Sequence, residues 1–155
     1  MNPEDRLLLS NQLCFPMYRC ARRIIRAYAP LLKSLSLTYT QYLVMMVLWE
    51  RRKIREKELC ELLDLDSGTL SPLIRKLCQR GLLTKSRLEK DARVLALELT
   101  EDGLKLRNHA LDVPVEMACA MGFDKDNATS LGSLKEQINA LSEQLGKSIK
   151  ASKYK

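Results

Sequence analysis

The sequence predicts a mostly helical chain carrying one small β-hairpin. Three observations lead there. Apolar residues recur at three- and four-residue spacing over most of the length, as amphipathic helices require. Aromatics make up only 5 % and Val/Ile/Thr-rich runs are scarce, which weighs against an all-β fold. A single stretch, Leu82 to Leu99, alternates with period two on both sides of a charged turn. The 155 residues suffice to bury a core without disulfide staples. Their composition, 46 % hydrophobic and 29 % charged, excludes disorder and collagen-like structure. No apolar run approaches the roughly 20 residues of a membrane span, so no membrane partner is expected.

Residues 11–33 read as the first helix. Cys14, Met17, Ala21, Ile24 and Tyr28 share one face, with Arg19, Arg22, Arg23 and Arg26 mostly off it. Pro16 fits only in the first turn, which puts Cys14 at the helix N-terminus, and Pro30 marks the approach to the end. Thr38 caps a second helix with Gln41 as its capping-box partner. That helix runs to about Arg51, is apolar nearly all round and belongs at the centre of the domain.

A short helix at about Glu56–Leu63 and a turn at Asp64-Leu65-Asp66-Ser67-Gly68 follow. Ser67 opens the next helix, about Thr69–Arg80, closed by Gly81. Pro72 sits deep in it and predicts a kink or a late start. Leu82–Arg87 and Val94–Leu99 then form the hairpin. Thr100 starts a helix reaching about Gly122, interrupted near Pro114. The last helix, about 126–150, carries Leu131, Leu134, Ile138, Leu141, Leu145 and Ile149 in a near-heptad seam, the kind used between helices of different chains.

Helix, turn, helix and then a basic two-stranded wing is the order of a winged helix-turn-helix. The second helix must show short polar and basic side chains to a major groove about 12 Å wide. Ser67, Thr69, Ser71, Arg75, Lys76 and Gln79 suit that task. The wing needs cations for phosphates, and Lys85, Arg87, Lys90 and Arg93 supply them, with Asp91 in the turn. A net charge of +7 and a pI near 9.3 agree with an anionic partner. The expected partner is double-stranded operator DNA. A solvated basic face beside an ordinary hairpin is the plainer alternative for any single charge.

Residues 37–48, 59–83 and 91–103 resemble the MarR family of winged-helix repressors. Asp91-Ala92-Arg93 followed by Leu99-Thr100-Glu101-Asp102-Gly103 is similar to its D-x-R…LT-x-x-G signature. Asn11-Gln12-Leu13-Cys14-Phe15, Leu37-Thr38-Tyr39-Thr40-Gln41-Tyr42-Leu43 and Leu65 to Leu73 resemble the organic-hydroperoxide-resistance regulators (OhrR type) within it. The resemblance implies a homodimer built from the terminal helices and a pseudo-palindromic operator. On this reading residues 1–155 form one domain. Residues 10–36 and 100–155 supply dimerisation helices, and 37–99 form the DNA-binding lobe.

Five cysteines, an odd number, argue against a secreted disulfide framework. Glu4 and Asp5 occupy the place of a basic signal-peptide region, so a cytoplasmic location with reduced thiols is expected. Cys14 is the candidate sensor: a peroxide-attacking thiol must be partly thiolate, and a helix N-terminus favours that anion. The resemblance implies that Tyr28 and Tyr39 hydrogen-bond its sulfur, with Tyr18 drawn from the partner subunit. A buried structural cysteine beside core tyrosines is the alternative. Cys119 is placed like the resolving cysteine of the two-cysteine branch, which attacks the sulfenic acid of the partner; a small filler in a helix interface is its alternative. Cys20, Cys60 and Cys78 read as structural. There is no C-x-x-C pair and His109 is the lone histidine, so neither metal nor cofactor is expected.

These readings converge on a redox-sensing repressor, not an enzyme. It binds operator when reduced and is released when organic hydroperoxide oxidises Cys14, with an intersubunit disulfide to Cys119. A MarR-type repressor released by a small aromatic ligand is one alternative. A thiol peroxidase is the other, disfavoured because the chain spends its length on a basic helix-turn-helix and wing.

Overall fold

The structure, a computed structural model, describes residues 2–88, 91–123 and 128–152. The chain forms two compact units, Met1–Pro114 and Val115–Lys155. The expected lobe 37–99 lies wholly within the first. Among the described residues no helix is long and apolar enough to cross a membrane.

Two 3-10 turns, Pro3–Leu7 and Leu9–Asn11, precede α1, Cys14–Lys33. The helix therefore starts three residues later than periodicity alone suggests, with Cys14 at its first position. Pro16 becomes the third helical residue, where its missing N–H has no intrahelical acceptor to lose. Thr38 caps α2, Tyr39–Arg51, through the full capping box with Gln41. Val44, Met45 and Leu48 of α2 are completely buried and form the core with Leu32, Leu59 and Leu97.

β1, Lys53–Arg55, is a strand the sequence reading missed. Three residues are too few for a periodicity to register. It leads directly into α3, Glu56–Leu63, which ends on Asp64 in the left-handed conformation. The next helix, α4, spans Ser67–Gln79 and corrects the expected late start. Asp66 anchors its first turn, accepting from the Thr69 amide at 2.8 Å and the Thr69 hydroxyl at 2.7 Å. Pro72 is tolerated because the donor it lacks would have served the carbonyl of Gly68, an exposed residue that water can solvate. Gly81, at φ +70°, closes a Schellman motif: its N–H bonds Cys78 O at 2.9 Å, and Leu82 N–H bonds Leu77 O at 3.1 Å.

That cap explains a second correction. Leu82 gives its N–H to α4, so β2 begins one residue late, at Leu83–Leu88. Its partner β3, Asp91–Leu99, is longer than expected at the turn end, with an irregularity between Arg87 and Leu88. The sheet order is β1-β3-β2, all antiparallel, with Ile54 opposite Leu97 and Lys85 opposite Leu97 on the other side. Thr100 caps α5, Glu101–His109. The expected interruption falls at 110–112, and Pro114 is the second residue of α6, Val113–Ala120, where proline is harmless. In the second unit α7, Ala128–Ser152, carries the apolar seam. Leu134, Ile138, Leu145 and Ile149 of that seam are 46–59 % exposed.

Candidate nucleic-acid interface and thiol site

α4 divides its residues cleanly. Leu70, Ile74 and Leu77 are buried, while Ser67, Thr69, Ser71, Arg75, Lys76 and Gln79 are all exposed on the outer side. The structure thus brings together the six side chains that the sequence assigned to a DNA groove. Lys85 joins them from β2, across a concavity of about 690 Å³ lined by Ser67, Ser71, Pro72, Arg75 and Cys78. By backbone position Arg87 lies on β2, and Asp91 and Arg93 on β3. Lys90 lies outside the described residues.

Three of these side chains are already engaged. The Thr69 hydroxyl donates to Asp66, and the Ser71 hydroxyl donates to Glu56 Oε1 at 2.9 Å. Lys85 Nζ stands 2.6 Å from Glu56 Oε2. Glu56 escaped the sequence reading, because a glutamate opening a helix is ordinary there. The hydrogen bonds from Thr69 hold the Asp66 carboxyl below its usual range. At the far end of α4, Arg80 donates to Ser36 O at 2.6 Å and Leu35 O at 3.0 Å, tying the helix to the loop after α1.

Three tyrosines cluster, Tyr28, Tyr39 and Tyr42. The rings of Tyr28 and Tyr39 lie 4.8 Å apart, and Tyr42 stands 5.9 Å from Tyr28. Burial, and then Tyr39, push the Tyr28 hydroxyl above its ordinary 10, so at neutral pH it is a hydrogen-bond donor. Cys14 shares the helical face of Tyr28 but not the neighbourhood of the cluster. Fourteen residues at 1.5 Å rise place it about 21 Å along α1 from Tyr28. Tyr18 is exposed one turn into the helix, its hydroxyl accepting from Arg22 at 2.8 Å. Cys14, Cys20 and Cys119 are exposed, Cys60 and Cys78 half-buried. Cys119 belongs to α6 in the second unit. Burial pushes the Cys60 and Cys78 thiols up. Among the described residues no cluster of His, Cys, Asp or Glu could hold a metal ion.

A second concavity has aromatic walls. Tyr42, Met46, Trp49, Leu111 and Pro114, with Glu50 and Arg107, line an open space of about 360 Å³.

Comparison with known proteins gives a consistent set. The family described as transcriptional regulator SarA/Rot matches residues 26–109, more than half of the chain. An organic hydroperoxide resistance transcriptional regulator of Bacillus subtilis is 40 % identical over 144 residues, covering 93 % of this chain and 96 % of that one. Reduced AbfR bound to DNA superposes with a TM-score of 0.75 at 28 % identity, over 94 % of this chain and 99 % of the other. AbfR, a protein of Staphylococcus epidermidis, is also similar in its disulfide form, with a TM-score of 0.61 and 29 % identity over 92 % and 94 % of the two chains.

Proposed function

The chain belongs to the MarR-type winged-helix transcriptional regulators, in the branch of the organic-hydroperoxide-resistance and SarA/Rot proteins, and from that premise we propose that it is a redox-sensing repressor. The reduced protein is a cytoplasmic homodimer that binds double-stranded operator DNA. Ser67, Thr69, Ser71, Arg75, Lys76 and Gln79 of α4 face the major groove. Lys85, Arg87, Lys90, Asp91 and Arg93 belong to the wing beside it. Residues 10–36 and 100–155 supply the dimer helices, with the exposed seam of α7 among them.

Cys14 is the sensor. Its thiolate attacks one oxygen of an organic hydroperoxide, the O–O bond breaks, and the other oxygen leaves as an alcohol after taking a proton. Sulfur is oxidised to sulfenic acid and the peroxide is reduced. The Cys119 thiolate of a second copy then attacks that sulfur, and the S–O bond breaks with loss of water. An intersubunit disulfide remains. It requires Cα atoms within about 7 Å, which pulls on the terminal helices and reorients the two lobes on their half-sites.

The observation that carries this reading is the 21 Å or so between Cys14 and Tyr28. The Tyr28–Tyr39 pair can reach a Cys14 sulfur only if another α1 delivers it. Two copies, with their α1 helices opposed, bring Tyr28 and Tyr39 of one to Cys14 of the other, and Tyr18 near them.

Operator binding measured under cumene hydroperoxide tests this. Wild type is expected to release DNA and Cys14→Ser to stay bound; release by Cys14→Ser to the wild-type extent overturns the sensor. Non-reducing mass spectrometry of the oxidised protein is expected to show a Cys14–Cys119 crosslinked dimer. The aromatic-walled cavity beside Arg107 favours a second reading, release by a small aromatic anion. Indifference to peroxide together with release by phenolic acids would select it.

A further inference from the structure

Ser71 and Lys85, which line the concavity between α4 and the wing, both meet one carboxylate, in a chain of net charge +7. Glu56 is the first residue of α3, immediately after β1, whose pairing of Arg55 with Ala96 fixes where that side chain emerges. It is only 12 % exposed, against 34 % for Lys85. One oxygen accepts the Ser71 hydrogen bond, and the other, buried without a hydrogen-bond partner, is ion-paired with the Lys85 ammonium. Three elements, α3, α4 and β2, meet on this one group.

The donor count has a chemical consequence. A serine hydroxyl owns one hydrogen and two lone pairs, and a carboxylate can only accept. The Ser71 hydrogen is therefore committed to Glu56, and only lone pairs remain for DNA. Phosphate oxygens accept and cannot use them. In the major groove the donors are the amino groups of adenine and cytosine. Lys85, likewise, carries a charge already cancelled, so it displaces little of the counterion atmosphere of DNA.

We propose that Glu56 is a specificity-determining residue: it makes Ser71 an acceptor-only reader of adenine or cytosine amino groups and withholds Lys85 from phosphate neutralisation. The proposal rests on the DNA-binding reading above. Glu56→Gln is the informative variant, because the amide has the same shape, can donate to Ser71 and frees its hydrogen, and leaves Lys85 uncompensated. Ser71→Ala removes the reader and leaves the ion pair.

The experiment is selection of binding sites from randomised duplexes by the full-length reduced protein and both variants, followed by salt titration on the selected site. Wild type is expected to demand adenine or cytosine at one position of each half-site. Ser71→Ala should lose that preference, a change of about 2- to 10-fold for one hydrogen bond. Glu56→Gln should shift it toward bases that present acceptors. It should also steepen the slope of log affinity against log salt by about 0.9 per protomer. Identical base preferences in all three proteins, or an unchanged salt slope in Glu56→Gln, overturn the proposal. A wild type that selects no duplex at all overturns the DNA-binding reading itself, which is a different failure.

Discussion

Replacing Gly103 by alanine should cost this protein more stability than any other glycine-to-alanine change in it. A Cβ there would lie 2.2 Å from the Leu82 carbonyl oxygen and 2.7 Å from Leu99 Cδ1. The oxygen cannot step aside. It accepts from Thr100 N–H at 3.2 Å, while Leu82 N–H is held by the cap of α4. Gly103 is fixed as well: its N–H donates to the Thr100 hydroxyl at 3.0 Å, and its carbonyl accepts from Trp49 Nε1 at 2.8 Å. Forcing a methyl group into such a site costs up to about 3 kcal/mol. Breaking one of those hydrogen bonds in the process adds about 1 kcal/mol. The better helix propensity of alanine returns about 1 kcal/mol. The net loss is roughly 3 kcal/mol, which for a chain of this size lowers the melting temperature by about 6–12 °C. Circular dichroism melts of both proteins at one fixed concentration measure it, since the proposed dimer's melting point would depend on concentration. Gly132→Ala, where a Cβ meets nothing within 4 Å, is the control and should gain up to about 1 kcal/mol. A Gly103→Ala protein melting within about 2 °C of wild type would refute the close-approach reasoning.

Asp66 should make α4 acid-sensitive. Its folded-state pKa is lowered by the Thr69 hydrogen bonds, so its contribution is complete above the unfolded value of about 3.9 and is lost as pH falls through the folded value beneath it. The stability difference between wild type and Asp66→Asn in urea should accordingly hold steady above pH 5 and shrink toward pH 3; a constant difference would count against the cap. Burial is the first cause raising both inner thiols, reinforced at Cys60 by Glu56, Asp66 and Glu61 and partly offset at Cys78 by Lys85. Pulse alkylation of the reduced protein near pH 8, read by mass spectrometry, should label both after Cys20, and equal rates would contradict their burial. Ile138→Asp places a charge in the α7 seam and should convert the proposed dimer to monomer in sedimentation equilibrium, with loss of operator binding; a variant dimeric like wild type would move the interface elsewhere.

The elements most legible in the sequence are those specified by short-range chemistry. Thr38 with Gln41 and Gly81 after α4 each name a backbone hydrogen-bond pattern, and each pattern is present. Pro114 announces a break because its ring cannot continue a helix. The exposed row on α4 was readable because burial on one face of a helix fixes the other. β1 was not readable, since Lys53–Arg55 becomes a strand only through pairing with residues more than forty positions away. Nor was Glu56, whose role depends on Ser71 and Lys85 arriving from two other elements. The signature glycine lay in between. Its presence in the LT-x-x-G block was plain, but its reason, the Leu82 carbonyl, needed the fold.

The thiol site shows why residue identity and residue position are separate problems. Cys14 and Tyr28 share a helical face by arithmetic at 100° per residue, and the same arithmetic at 1.5 Å per residue parts them by about 21 Å. A helix of 20 residues is stiff on that scale, so no rearrangement inside one chain closes the gap. If the tyrosines serve the sulfur, they do so across a subunit boundary, and oxidation at Cys14 then alters contacts between copies before it alters either copy. That places the chemical change on the surface that sets the spacing of the two α4 helices. Half-sites lie about one helical turn apart, and a small reorientation there misaligns both readers together. A coupling of this kind needs no path through the core of α2, where Val44, Met45 and Leu48 are completely buried.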